Sequence, residues 1–201
     1  MIFEIVFFSL FSIILSLLIL AVQRKSFDFN RCNMEIKGYG ALIITAAIKV
    51  AAQFLFKKYP NSTLLSVLSI NWILYIALLY VSILNIKSSY GMLFFMGTLF
   101  NFIAIIANGF KMPVYIDETL LNADVQKIIL LSGKDLIHSL LTENTKFKFL
   151  CDIITLHPPY PFPKTISVGD IFLLSGIFSF WQDLFFENAK YKNAKYKNAK
   201  V

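Results

Sequence analysis

The run Ile5–Val22 does most to limit what this chain can become, because it holds no charged residue from end to end. As a helix rising about 1.5 Å per residue it is long enough to cross a hydrocarbon core of roughly 30 Å. Four further apolar runs, at about 38–56, 64–84, 91–107 and 166–186, repeat the pattern. A chain of 201 residues with five such runs has little left for a soluble core. The fold class expected is an all-α integral membrane protein, a bundle of about five transmembrane helices.

Composition agrees. Apolar residues make up 57% and charged residues 15%, against roughly 45–50% and 25% in soluble domains. The 21 Phe residues and a mean hydropathy of +0.67 point the same way, since Phe, Leu and Ile insert favourably at the bilayer centre. The net charge of +7 would suit nucleic acid in a soluble protein, but five of the 19 basic residues fall in the basic low-complexity tail 188–201. Anionic lipid headgroups are the simpler partner for that tail, with no role for nucleic acid. The tail repeats NAKYK from Asn188 and again from Asn193, which reads as a solvated extension.

Glu4 precedes the first run and Gln23-Arg24-Lys25 follow it, the reverse of a cleaved secretory signal. The run is therefore expected to be retained, with its N-terminus outside. Arg24, Lys25, Arg31 and Lys37 then mark a cytoplasmic loop, and five crossings leave the C-terminus inside. The segment 108–165 is the one long non-spanning stretch and falls outside. Within it Asp117 is expected to cap a helix over Glu118–Leu131, Ser132-Gly133 to end it, and Lys134–Leu141 to form a further helical turn or two. The prolines of His157–Pro163 exclude a helix. An extended path, anchored by Tyr160 and Phe162 and covering the polar residues, is expected there.

Polar groups inside the spans are the first candidates for function. Thr45, Lys49 and Gln53 recur every fourth residue and share a helix face. Counted from the ends of antiparallel spans, Lys49, Asn71 and Asn101 lie at one level, with Asp170 slightly further out. Together with Asp152 these form the candidate ligand-binding set, a polar layer in the outer half of the membrane. A purely structural layer is the alternative, in which Lys49 bridges to Asp170 and the asparagines bond between helices.

Asp135, His138, Asp152, His157 and Asp170 supply the acids and imidazoles. Asp135 and His138 are three apart and would share a helical face. Asp152 and His138 are the candidates for catalysis by proton transfer. No HExxH, paired-histidine or nucleophile motif occurs, and the two cysteines, Cys32 and Cys151, have no metal or disulfide spacing. Neither a cofactor nor a metal is expected, and Cys151 reads as a small buried residue.

The stretches Asn108-Gly-Phe-Lys-Met-Pro-Val114, the isolated His138, Phe149-Leu-Cys-Asp-Ile-Ile154 and Ser167-Val-Gly-Asp-Ile171 resemble the C-terminal motifs of an uncharacterised family of small bacterial multi-spanning membrane proteins. The likeness covers roughly the second half of the chain. Cys151 stands where that pattern has a glycine. The resemblance implies a bacterial cytoplasmic membrane and a helical bundle, and it carries no assigned activity. Three readings of function follow from the residues: non-catalytic binding of a lipid, small ligand or membrane partner through the polar layer; transport of an ion or solute along the Thr45, Lys49, Gln53 face; and catalysis by Asp152 with His138.

Overall fold

The computed structural model describes residues 2–25, 27, 35–59, 62, 72–121, 123–133 and 135–198. Cys32, Asn71, the first half of the expected third span and the last residues of the tail lie outside the described residues. Among the described residues six α-helices carry the architecture: α1 Ile2–Val22, α2 Tyr39–Lys58, α3 Trp72–Leu84, α4 Ser89–Ala107, α5 Ala123–Leu131 and α6 Val168–Asn198. Four stretches among the described residues, Phe3–Val22, Tyr39–Phe56, Ser89–Ala107 and Val168–Ala189, are helices long and apolar enough to cross a membrane. The described part of the third run, Ile73–Leu84, is apolar and shorter. α6 continues through the repeat region to Asn198, where Ala and Lys favour helix and no Gly or Pro stops it.

α6 is the central post, packed on α4 along one side and on α1 along another, while α3 joins α4 and α2 joins α3. Its junction with α4 depends on small residues. A Cβ at Gly97 would stand 2.6 Å from the Gly169 carbonyl oxygen, and one at Gly169 would stand 2.0 Å from Asn101 Oδ1. Absent side chains let the two backbones touch, the means by which apolar helices pack closely without a hydrophobic drive between them.

α1 and α6 run parallel. Ser12 Oγ donates to the Phe178 carbonyl at 2.8 Å and Gln182 Nε2 donates to the Ser12 carbonyl at 3.2 Å. Two turns further on, Leu20 packs with Phe185 and Ala189. At the start of both helices Lys164 Nζ meets Glu4 Oε1 at 2.7 Å, Tyr160 donates to the same oxygen at 3.0 Å, and Phe162 stacks edge-on against Phe3.

The segment between α4 and α6 departs from the all-helical expectation, since it contains four short strands. β1 (Met112–Val114) pairs in parallel with β2 (His138–Leu140), and β3 (Ile154–Leu156) pairs antiparallel with β4 (Lys164–Ile166). The turns expected over Lys134–Leu141 give way because the Asp135 carboxylate accepts the amides of Ile137 and His138 at 2.7 and 2.9 Å. That local bond competes with helix, a known habit of Asp. In the same way Asp117 caps a turn: its Oδ1 takes Thr119 N and Thr119 Oγ1. The helix therefore begins at Ala123 rather than at Glu118. Leu121, fully exposed, offers no apolar contact that would pull that turn into a helix.

Candidate functional site

β1 holds Asp152 through its backbone. Its backbone N–H donates to the Pro113 carbonyl at 3.0 Å and its carbonyl accepts from Tyr115 N–H at 2.8 Å, so it extends the small sheet on the far side of β1 from β2. Its neighbour Cys151 is fully buried with φ −79°, a conformation open to any L residue. Burial, followed by the Asp152 charge, pushes that thiol up to about 11, so it stays protonated and inert at neutral pH.

The Asp152 side chain faces a cavity of about 490 Å³. Tyr75 of α3, Asn101 and Ile105 of α4 and Asp170 of α6 form its floor. Met112, Val114, Ile137, His138 and Asp135 form one wall, Lys164–Ile166 the other, and Gln126, Ile129 and Leu130 of α5 its roof. The cover is thus α5. The proline run, expected to cover the site, instead forms the β3–β4 connection and packs on the start of α1.

Asp170 and Asn101 are joined and fully engaged. Ser167 and Asp170 form a reciprocal cap at the start of α6: Asp170 N–H donates to Ser167 Oγ at 2.9 Å and Ser167 N–H to Asp170 Oδ2 at 3.2 Å. Asn101 Nδ2 donates to Asp170 Oδ1 at 3.0 Å, and Ser167 Oγ donates to Asn101 Oδ1 at 2.8 Å. Each of these buried polar atoms has a partner, as buried polar atoms require.

Asp152 does not. It is 8% exposed, and its Oδ1 is buried with no hydrogen-bond partner among the described residues. Burial pushes its carboxyl up to about 8, with the charge of Asp170 adding to the shift and Lys164 opposing it. Asp135 shows the contrast. Burial pushes its carboxyl up too, but the His138 and Ile137 amides and the His138 imidazole outweigh this and hold it below the usual carboxylate range. Two carboxyls of one cavity are therefore tuned apart, one as a satisfied anion and one as a group able to donate, accept or exchange a proton near neutral pH.

The other expected residues are placed elsewhere. Lys49 lies on α2, which packs on α3, and is not in the cavity lining. On its face Thr45 returns its hydroxyl to the Ala41 carbonyl at 2.8 Å and Gln53 is exposed. His157 pairs with Asp117 at 3.5 Å. His138 faces the cavity with Nδ1 3.2 Å from Asp135 Oδ2. Among the described residues no three His, Cys, Asp or Glu side chains are grouped to hold a metal ion. Tyr75, Gln126 and Lys164 also line the cavity. No local pattern distinguishes these three from other residues of their types, since they meet only through the tertiary fold.

The model of a family described as a family of unknown function (DUF5317) matches residues 33–182. That range holds every residue lining the cavity and leaves out α1. No curated protein and no solved structure matches the chain.

Proposed function

The chain belongs to DUF5317, a family of unknown function, and from that premise we propose a multi-spanning protein of the bacterial cytoplasmic membrane that binds a small ligand beneath α5, with Asp152 as its polar contact. Four apolar helices and the apolar residues on their outer faces, such as Leu18, Ile44, Val50 and Phe54, all exposed, support the membrane location. The basic loop after α1 and the basic tail support an N-terminus outside and a C-terminus inside. A membrane-impermeant thiol reagent on intact cells should then label Glu143→Cys and spare Cys32; labelling of Cys32 overturns the orientation.

Asp152 Oδ1 carries the binding reading. A buried acceptor left without a donor costs about 1–3 kcal/mol, and a volume of about 490 Å³ falls in the range of small-molecule sites. A ligand that offers a donor removes the penalty, and the apolar walls take the rest of it. In this reading Asn101, Ser167 and Asp170 hold the floor in shape. Lys49 takes no part. Native mass spectrometry of protein released from mild detergent should show a small-molecule adduct on the wild type. The Asp152→Asn variant, with unchanged helical content, should lack it. An adduct kept at equal abundance in that variant removes Asp152 from the site.

A further inference from the structure

Resting on the cavity reading above, we infer that the ligand is an organic ammonium ion with an apolar body and that it enters as Asp152 gives up a proton. The charges of the lining decide the sign. Asp135, Asp152 and Asp170 face the cavity, whereas the facing cation, Lys164, has its ammonium 2.7 Å from Glu4 Oε1. An anion would meet this acidic lining, and a neutral ligand would leave its field uncompensated. A bare metal ion lacks ligands, because no three acids, histidines or cysteines converge among the described residues.

The apolar part of the lining completes the class. Met112, Val114, Ile129, Leu130 and Ile166 surround the polar floor, so a small hydrated cation would be stripped of water against hydrocarbon. An alkyl ammonium instead buries its chain there. Tyr75 and Phe110 add aromatic surface to the same lining, a setting favourable to ammonium groups.

The exchange balances. R–NH3+ in water and the protonated Asp152 carboxyl become an ammonium–carboxylate pair, and one proton passes to bulk water. No covalent bond forms other than the one the leaving proton makes with water or buffer. Around Asp152 stand Asp170 of α6, Lys164 of β4, Tyr75 of α3 and the adjacent Cys151 thiol, with Asp135 and His138 also in the cavity lining. Among the carboxyls Asp135 and Asp170 are hydrogen-bonded as acceptors, which leaves Asp152 as the proton source.

The test uses the full chain in phosphatidylcholine nanodiscs and three probes of one length: hexylammonium, 1-hexanol and hexanoate. Titration calorimetry in two buffers of different ionisation enthalpy reads proton release. Hexylammonium should bind with close to one proton released per ligand, and its affinity should rise about tenfold per pH unit below pH 8. Asp152→Asn should abolish the release and weaken binding roughly tenfold or more. Ile129→Trp, which adds bulk to the α5 side of the lining and keeps the carboxyl, should block binding and serves if the first variant unfolds. Repeating the titration with phosphatidylethanolamine in the disc separates sources. Competition assigns the ammonium to a lipid headgroup, and unchanged affinity assigns it to a free amine; both support the class. Equal binding of 1-hexanol or hexanoate, lost in Ile129→Trp, overturns the ammonium class and keeps the cavity. Binding of none of the three overturns both.

Discussion

Asp152 and Asp170 line one cavity, and their hydrogen bonds separate their roles. Asp170 has both oxygens engaged, one by Asn101 and one by the Ser167 amide, so it acts as a brace whose charge bears on its neighbour. Asp152 has a buried oxygen with no hydrogen-bond partner among the described residues and a carboxyl pushed from its ordinary 3.8 to about 8, burial first and Asp170 second. Linkage fixes the sign of the consequence. The folded state holds this proton more tightly than the unfolded chain, so the contribution is fully present below about pH 4 and is lost as pH rises to about 8. Unfolding measured in the same nanodiscs between pH 4 and 9 should show wild-type stability falling across that window relative to Asp152→Asn. A parallel pair of curves would show that the carboxyl is not perturbed. At this scale the sequence was half legible. Regular helical rise puts Asn101 near the level of Asp170, and the two are hydrogen-bonded; the same count puts Lys49 beside them, and Lys49 is not in the cavity lining. The difference between a satisfied and an orphaned carboxyl depends on which donors the fold brings near: Asn101 and the Ser167 amide reach Asp170, none among the described residues reaches Asp152 Oδ1, and nothing in the chain marks that difference.

Helices and strands differ in how far local chemistry declares them. Runs such as Ile5–Val22 are legible because about twenty apolar residues have few other folded uses. β1 and β2 are three residues each, too short for a period-two pattern to emerge. Asp117 and Asp135 were open to a helical reading because an Asp that caps a helix and an Asp that closes a turn look alike in sequence. The close contact of α4 against α6 at Gly97 and Gly169 is likewise visible only in space. It sets a prediction with an internal control. Gly169→Ala places a methyl 2.0 Å from Asn101 Oδ1 and 2.7 Å from the Gly97 carbonyl, so the helices must separate and the Asn101–Asp170 bond must stretch. A destabilisation of about 1–3 kcal/mol or more is expected, together with weaker ligand binding. Gly40→Ala on α2 meets nothing within 4 Å and should be neutral or stabilising by about 0.5–1 kcal/mol. Equal effects at the two sites would mean that α4 and α6 are not in this close contact.

Across the whole molecule, the site depends on a contact that no local reading predicts, the meeting of Glu4 at the start of α1 with Lys164 just before α6. α1 lies outside the family match, yet it holds the lysine that faces the cavity. Asp152 already feels that lysine as a stabilising positive charge. With Glu4 in place the ammonium of Lys164 is drawn toward α1, and the cavity keeps its acidic character. Glu4→Gln removes that pull while keeping shape and leaving the Tyr160 contact an acceptor. Lys164 should then turn toward Asp152, lower its proton affinity and occupy the place of an incoming ammonium. Hexylammonium should bind roughly tenfold more weakly, with less than one proton released. Lys164→Met in the Glu4→Gln background should restore both, because the competing cation is gone. The coupling between the two changes measures the effect directly. If Glu4→Gln weakens binding and the added Lys164→Met does not recover it, Glu4 acts by seating α1 against the hairpin, and the lysine is no gate on the charge of the cavity.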